Sequence, residues 1–167
     1  MVSRKTFKDN EIPDQDLVDE IDPAVYNKIA RCAELLSVQM IESSFAISPQ
    51  FFDKKAVGKP GIEFSDDHAS FDLDSRVVTG VFSFDSHIKK GKKRVFSCKA
   101  KFVVFYGVAA ECDETHAAAF ARKTGLVACY PFFRAYVATT ASMANAAVPI
   151  LPTISAMPVK GKIKEVE

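Results

Sequence analysis

Apolar positions alternate most regularly between Arg94 and Ala110. Phe96, Cys98, Ala100, Phe102, Val104, Tyr106 and Val108 keep one phase without a break. A period of two puts all of them on one face of a strand. The opposite phase begins wet, with Ser97, Lys99 and Lys101, and turns apolar at Val103 and Phe105. One face is therefore core throughout, and the other is covered only in its second half. That half-covered face is a place for a partner or client, or for the chain's own N-terminal helix.

Three further strands are predicted. Val78, Phe82, Phe84 and Ile88 share one phase between Arg76 and Ile88. Lys89-Lys-Gly-Lys-Lys93 then turns the chain, with Gly91 supplying the turn geometry and the lysines a solvated tip. Ala69, Phe71 and Leu73 alternate with Ser70, Asp72 and Asp74, a short strand with one wet face. Leu36, Val38 and Met40 alternate in turn, and the apolar phase then flips to Ile41, Phe45 and Ile47. A one-residue flip predicts a bulge. Pro49, Gly58, Pro60 and Gly61 make Ser48–Gly61 a loop, with Phe51 and Phe52 packed beneath it or carried on a movable lid.

Helical spacing appears at both ends of this block. Asp22-Pro23 is an N-cap followed by proline at the first helical position, and Val25, Ile29, Ala33 and Leu36 follow at helical intervals. Asp113 or Glu114 opens a first C-terminal helix that Gly125 closes. A second starts near Pro131, runs a stripe through Phe133, Val137, Ala141 and Ala144, and ends at Asn145 and Pro149. Alanine-rich faces allow close helix packing or self-association. The expected organisation is a flexible segment 1–21, one domain over 22–158 and a charged tail 159–167.

Composition narrows the function. A chain of 167 residues with 22 basic and 21 acidic side chains lacks the basic excess of a nucleic-acid binder. Fourteen phenylalanines and no tryptophan mean either a deep core or apolar surface awaiting a partner. The four cysteines form no C-x-x-C pair and read as reduced thiols. Ala135–Val159 carries no charge, yet Pro149, Pro152 and Pro158 break it, so membrane insertion is not expected. The first twenty residues hold no apolar core of a signal peptide, which points to the cytoplasm.

Catalytic chemistry is hard to find. There is no G-x-G-x-x-G, P-loop, G-x-S-x-G or H-E-x-x-H. Cys112 and His116 are one helical turn apart, but a metal needs more ligands than these two. Asp66-Asp67-His68 precedes a strand and reads as a solvated turn. No catalytic residue, metal or cofactor is expected.

Two stretches carry a family resemblance. Tyr130, Pro131, Phe132, Arg134 and Tyr136, followed by Pro149-Ile-Leu-Pro152, resemble the C-terminal signature of the SecB family of export chaperones. Glu42-Ser-Ser-Phe-Ala-Ile-Ser-Pro49 is similar to the family's first-strand motif, and Val104-Phe-Tyr-Gly-Val108 to the end of its last strand. The likeness spans roughly Leu35 to Ile154. It implies an α+β fold of four antiparallel strands followed by two C-terminal helices, here with an extra N-terminal helix. It implies an ATP-independent holding chaperone for unfolded polypeptides, assembled as a dimer of dimers. Client-binding positions would be Phe102, Phe105, Phe132 and Tyr136; Glu42 and Phe45 would meet a partner protein.

Three features depart from the export members. The net charge is +1 rather than strongly acidic, Ala46 stands where an acid meets the SecA motor, and the chain ends in a short charged tail without the extra helix. These favour another duty over handover to SecA, such as protecting an antitoxin, whose chaperones carry an N-terminal helical extension. A reading from a different class is a thioesterase-like or ligand-binding domain with a Phe-lined acyl pocket.

Overall fold

The computed structural model describes residues 22–53 and 58–153. The expectations for segments 1–21 and 159–167 lie outside these residues. The described elements run α1 (Pro23–Cys32), β1 (Ala33–Ile47), a 3-10 turn (Pro49–Phe52), β2 (Lys59–Asp72), β3 (Val77–Lys90), β4 (Lys93–Val108) and α2 (Glu114–Met143). The four strands form one antiparallel sheet in the order β1-β4-β3-β2.

The alternation in β3 and β4 builds the core. Val78, Phe82, Phe84 and Ile88 are buried, as are Phe96, Cys98, Ala100, Phe102, Val104, Tyr106 and Val108. Registry sets them side by side, with Phe82 opposite Phe102 and Ile88 opposite Phe96. Helix α2 lies over this face, across β2, β3 and β4 and hardly over β1. Phe133 of α2 stacks on Phe84 with ring centroids 5.0 Å apart, and Phe120 meets Tyr106 edge-on at 5.1 Å.

Gly91 turns the β3–β4 hairpin at φ 61°. The predicted bulge in β1 is present as a register shift between Met40 and Glu42, with a second between Leu35 and Ser37. In α1, Asp22 caps the helix by accepting from the Ala24 amide at 2.8 Å. This helix packs on α2, where Tyr26 meets Phe120 at 6.1 Å, and not on the outer face of the sheet.

Two expectations are corrected. β2 starts at Lys59, ten residues before the predicted Ala69, and takes in Pro60, Gly61 and Asp66-Asp67-His68. Proline is tolerated because β2 is an edge strand, where one row of amides has no ladder partner. The Asp66–His68 stretch is a bulge in this strand and not a turn. The second correction concerns the C-terminal helices. One helix of 30 residues runs through both Gly125 and Pro131. Gly125 is there for space: a Cβ would stand 2.4 Å from Phe82 Cε2 and 3.0 Å from Val104 Cγ1. Pro131 removes one backbone hydrogen bond. The buried Cys129, Tyr130 and Phe133 around it hold the helix to the sheet regardless. Asp113 caps the start, accepting from the His116 amide at 2.9 Å. A Schellman arrangement closes the end: Asn145 has φ 50°, its amide donates to Ser142 O, and the Ala146 amide donates to Ala141 O.

Candidate functional site

Beyond Asn145 the chain folds back along α2. The Tyr130 hydroxyl donates to Pro152 O at 2.7 Å and pins this exit segment. Burial raises the Tyr130 phenol above its ordinary pKa, which keeps it a neutral donor. A groove of about 650 Å³ lies between helix and exit segment. Val127, Pro131, Ala135 and Ala138 line one wall, and Val148 and Ile150 the other. Small side chains on the helix keep the groove open. Because Pro131 has no N–H, the Val127 carbonyl gets none of its usual helical bonding there. Arg134 also borders the groove and makes no ion pair among the described residues.

The residues expected from the sequence fall in different places. Phe102 is 3% exposed and meets Phe84 edge-on at 5.9 Å, so it is core and not a client contact. The unbroken alternation of its strand already placed it there. Phe132 is 51% exposed on α2, with half-buried Tyr136 one turn on and exposed Met143 beyond. These three run along a face of α2 that does not line the groove. On the same side of the sheet, Leu35 and Met40 of β1 are exposed because α2 does not reach over that strand. Phe105 is half-buried on the opposite, outer face, beside buried Val103 and with Leu36 laid over Gly107. Phe45 is half-buried against Phe96, ring centroids 5.6 Å apart. Glu42 is exposed on the outer face opposite Lys101. The sheet thus separates Phe105 from Phe132 and Tyr136.

Across the middle of the outer face runs a polar trough of about 480 Å³. Registry builds it from two cross-strand rows: Glu42, Lys101, Ser83 and Ser65, then Ser44, Lys99, Asp85 and Glu63. Asp67 reaches in from the β2 bulge to Ser83 at 2.5 Å, Ser65 at 2.8 Å and Lys101 at 3.3 Å. Burial alone would raise its carboxyl, but the Ser83 and Ser65 hydroxyls and the Lys101 ammonium together hold it below the ordinary value. Arg94 bonds Asp85 at 2.6 Å and lies 3.6 Å from Glu63. Burial, with the Arg94 charge next, pushes the His87 imidazole below its usual pKa. Sequence reasoning missed this trough, because its members lie on separate strands and meet only through registry.

No protein-family model matches the chain, and no curated protein matches it significantly. Among solved structures it is similar to a SecB-like chaperone of Mycobacterium tuberculosis, captured with a ChAD peptide from the HigA1 antitoxin. The TM-score is 0.65 at 18% identity, over 81% of this chain and 99% of the other. The fold is SecB-like. At this identity the likeness extends to the arrangement of sheet and helices and not to individual contacts. None of the described helices is long and apolar enough to cross a membrane.

Proposed function

We propose that this chain is a SecB-like holding chaperone that binds non-native polypeptide without nucleotide. The observation that carries the reading is the open apolar groove along α2, on a fold shared with a chaperone solved in complex with an antitoxin peptide. Unfolded segments expose apolar side chains and unpaired backbone. A groove walled by alanine, valine and isoleucine buries the side chains by a non-directional effect, which suits many sequences. Phe132 and Tyr136 add a separate apolar strip on another face of α2, and Leu35 and Met40 offer a second copy of the chain a face to cover. An oligomer would then present several grooves to one long client and gain avidity. Glu42 and Phe45 remain candidates for contact with a partner protein, and Phe105 for contact with client on the outer face. Such a chaperone acts in the cytoplasm, with an antitoxin or an exported precursor as client.

The acyl-pocket reading is disfavoured by the aromatic layer itself. Phe84, Phe133 and Phe102 fill the space between sheet and helix instead of leaving it hollow. The test is suppression of aggregation of a chemically unfolded, unrelated protein at rising chaperone ratios without nucleotide. Near-stoichiometric suppression is expected. Ala138→Arg, which fills the groove, and Phe132→Ala with Tyr136→Ala, which strips the separate apolar face of α2, should each weaken it in proteins that remain folded. No suppression by the wild type even in excess would overturn the reading.

A further inference from the structure

The outer face of the sheet carries a constellation that the chaperone reading does not use. Asp85 and His87 are two residues apart on β3 and so point to the same face. Glu63 of β2 pairs directly with Asp85. One ligand-type atom from each of these three side chains lies within 4.8 Å of the other two. His87 sits opposite Gly61, where a Cβ would stand 2.6 Å from the imidazole Nε2. The glycine therefore makes room for a ring laid flat on β2, 5% exposed.

Two atoms of this cluster are orphaned. His87 Nδ1 and Asp85 Oδ1 are both buried without a hydrogen-bond partner. A buried polar atom left unpaired loses its water and gains nothing in return, so an orphan needs a reason. The two face each other at 3.6 Å. That gap is too long for a hydrogen bond. It is close to the roughly 3.3 Å between two ligands of a tetrahedral ion with bonds of about 2.0 Å. Arg94 does not occupy this position, because its short contact is to the other oxygen, Asp85 Oδ2.

We propose that Glu63, Asp85 and His87 form a binding site for a zinc-type divalent cation on the outer face of the sheet. One imidazole nitrogen and two carboxylates are a borderline donor set that zinc accepts, while calcium and magnesium prefer oxygen alone. Three protein ligands leave a fourth position for water or for a group offered by a bound partner. The cation would satisfy both orphaned atoms at once and tie β2 to β3 beside the trough. Arg94 is the built-in competitor, since it shares the Glu63 carboxylate at 3.6 Å. Removing Arg94 should therefore strengthen metal binding, and dependence on His87 as well as on the carboxylates separates this site from simple attraction to negative charge.

The experiment is calorimetric titration of the full, tag-free chain with zinc chloride, repeated with Co²⁺ to read the ligand-field bands of a tetrahedral site. One equivalent per chain is expected. Glu63→Gln, at a half-exposed side chain, and His87→Gln should each weaken binding at least ten-fold and diminish the cobalt bands. Arg94→Gln should tighten it. Circular dichroism identifies any variant that fails to fold, and the Glu63 and Arg94 variants, at partly exposed positions, keep the test decisive if His87→Gln does not. No uptake at excess metal, or uptake unchanged by Glu63→Gln and Arg94→Gln, would overturn the proposal.

Discussion

Gly125→Ala sets two effects of opposite sign against each other. Alanine in a helix interior is favoured over glycine by about 1 kcal/mol. The new methyl, however, would stand 2.4 Å and 2.6 Å from two carbons of the Phe82 ring and 3.0 Å from Val104 Cγ1. Carbon atoms are comfortable at about 3.5–4.0 Å, so the ring or the helix must move by roughly 1 Å. Phe82 has no exposed surface, and its ring leans over Gly80, where a Cβ would also stand only 2.7 Å away. It is held between two glycines and has nowhere to retreat. Overpacking of this kind costs about 1–3 kcal/mol, and the lack of relief puts it at the upper end. The net expectation is a loss of about 2 kcal/mol, or roughly 4–8 °C in Tm for a chain of this size. Urea unfolding by circular dichroism, at one fixed protein concentration, measures it. In a Phe82→Leu background the penalty should shrink by at least about 1 kcal/mol, because the shorter side chain frees the space. A Gly125→Ala protein as stable as the wild type or more so would refute the reasoning and leave Gly125 a mere helix-weakening residue.

Further outcomes follow from the same structure. Asp113→Ala removes the cap of α2 and should cost about 1 kcal/mol in urea unfolding. The His116 amide bond holds the Asp113 carboxyl below its ordinary pKa, so its stabilisation is present above the unfolded carboxylate pKa and lost as pH falls through the lower folded value. The wild type's advantage over Asp113→Ala should accordingly vanish in strong acid, and an advantage that persists there would refute the cap. Alkylation followed by mass spectrometry should modify exposed Cys32 first. Buried Cys129, whose thiol burial pushes up to about 12, should react only on unfolding. Phe132→Ala should lower Tm by only a degree or two, since half of the side chain is already in water, and a large loss would place it in a structural contact.

The strands were legible wherever one face alternates strictly. The phase running from Phe96 to Val108 needs no tertiary information, since a period of two has a single solution against a core. The bulge after Met40 was equally legible, because a phase flip is local. So were the Asp22 and Asp113 caps and the Asn145 terminus, where one side chain or one left-handed residue settles the matter. Glycine and proline misled in two places. Pro60 points to a loop because nothing in the sequence says that β2 lies at an edge. Gly125 and Pro131 point to a break because their local preference is real, and only the packing of Phe82, Cys129 and Phe133 outweighs it. The site divides in the same way. Phe132 and Tyr136 came from a motif on one helix. The α2 groove and the Glu63, Asp85 and His87 constellation came from the fold, which places side chains far apart in sequence within a few ångströms of one another. Periodicity records which face of an element meets the core; which elements meet each other is decided by registry and close packing, and those exist only in the folded chain.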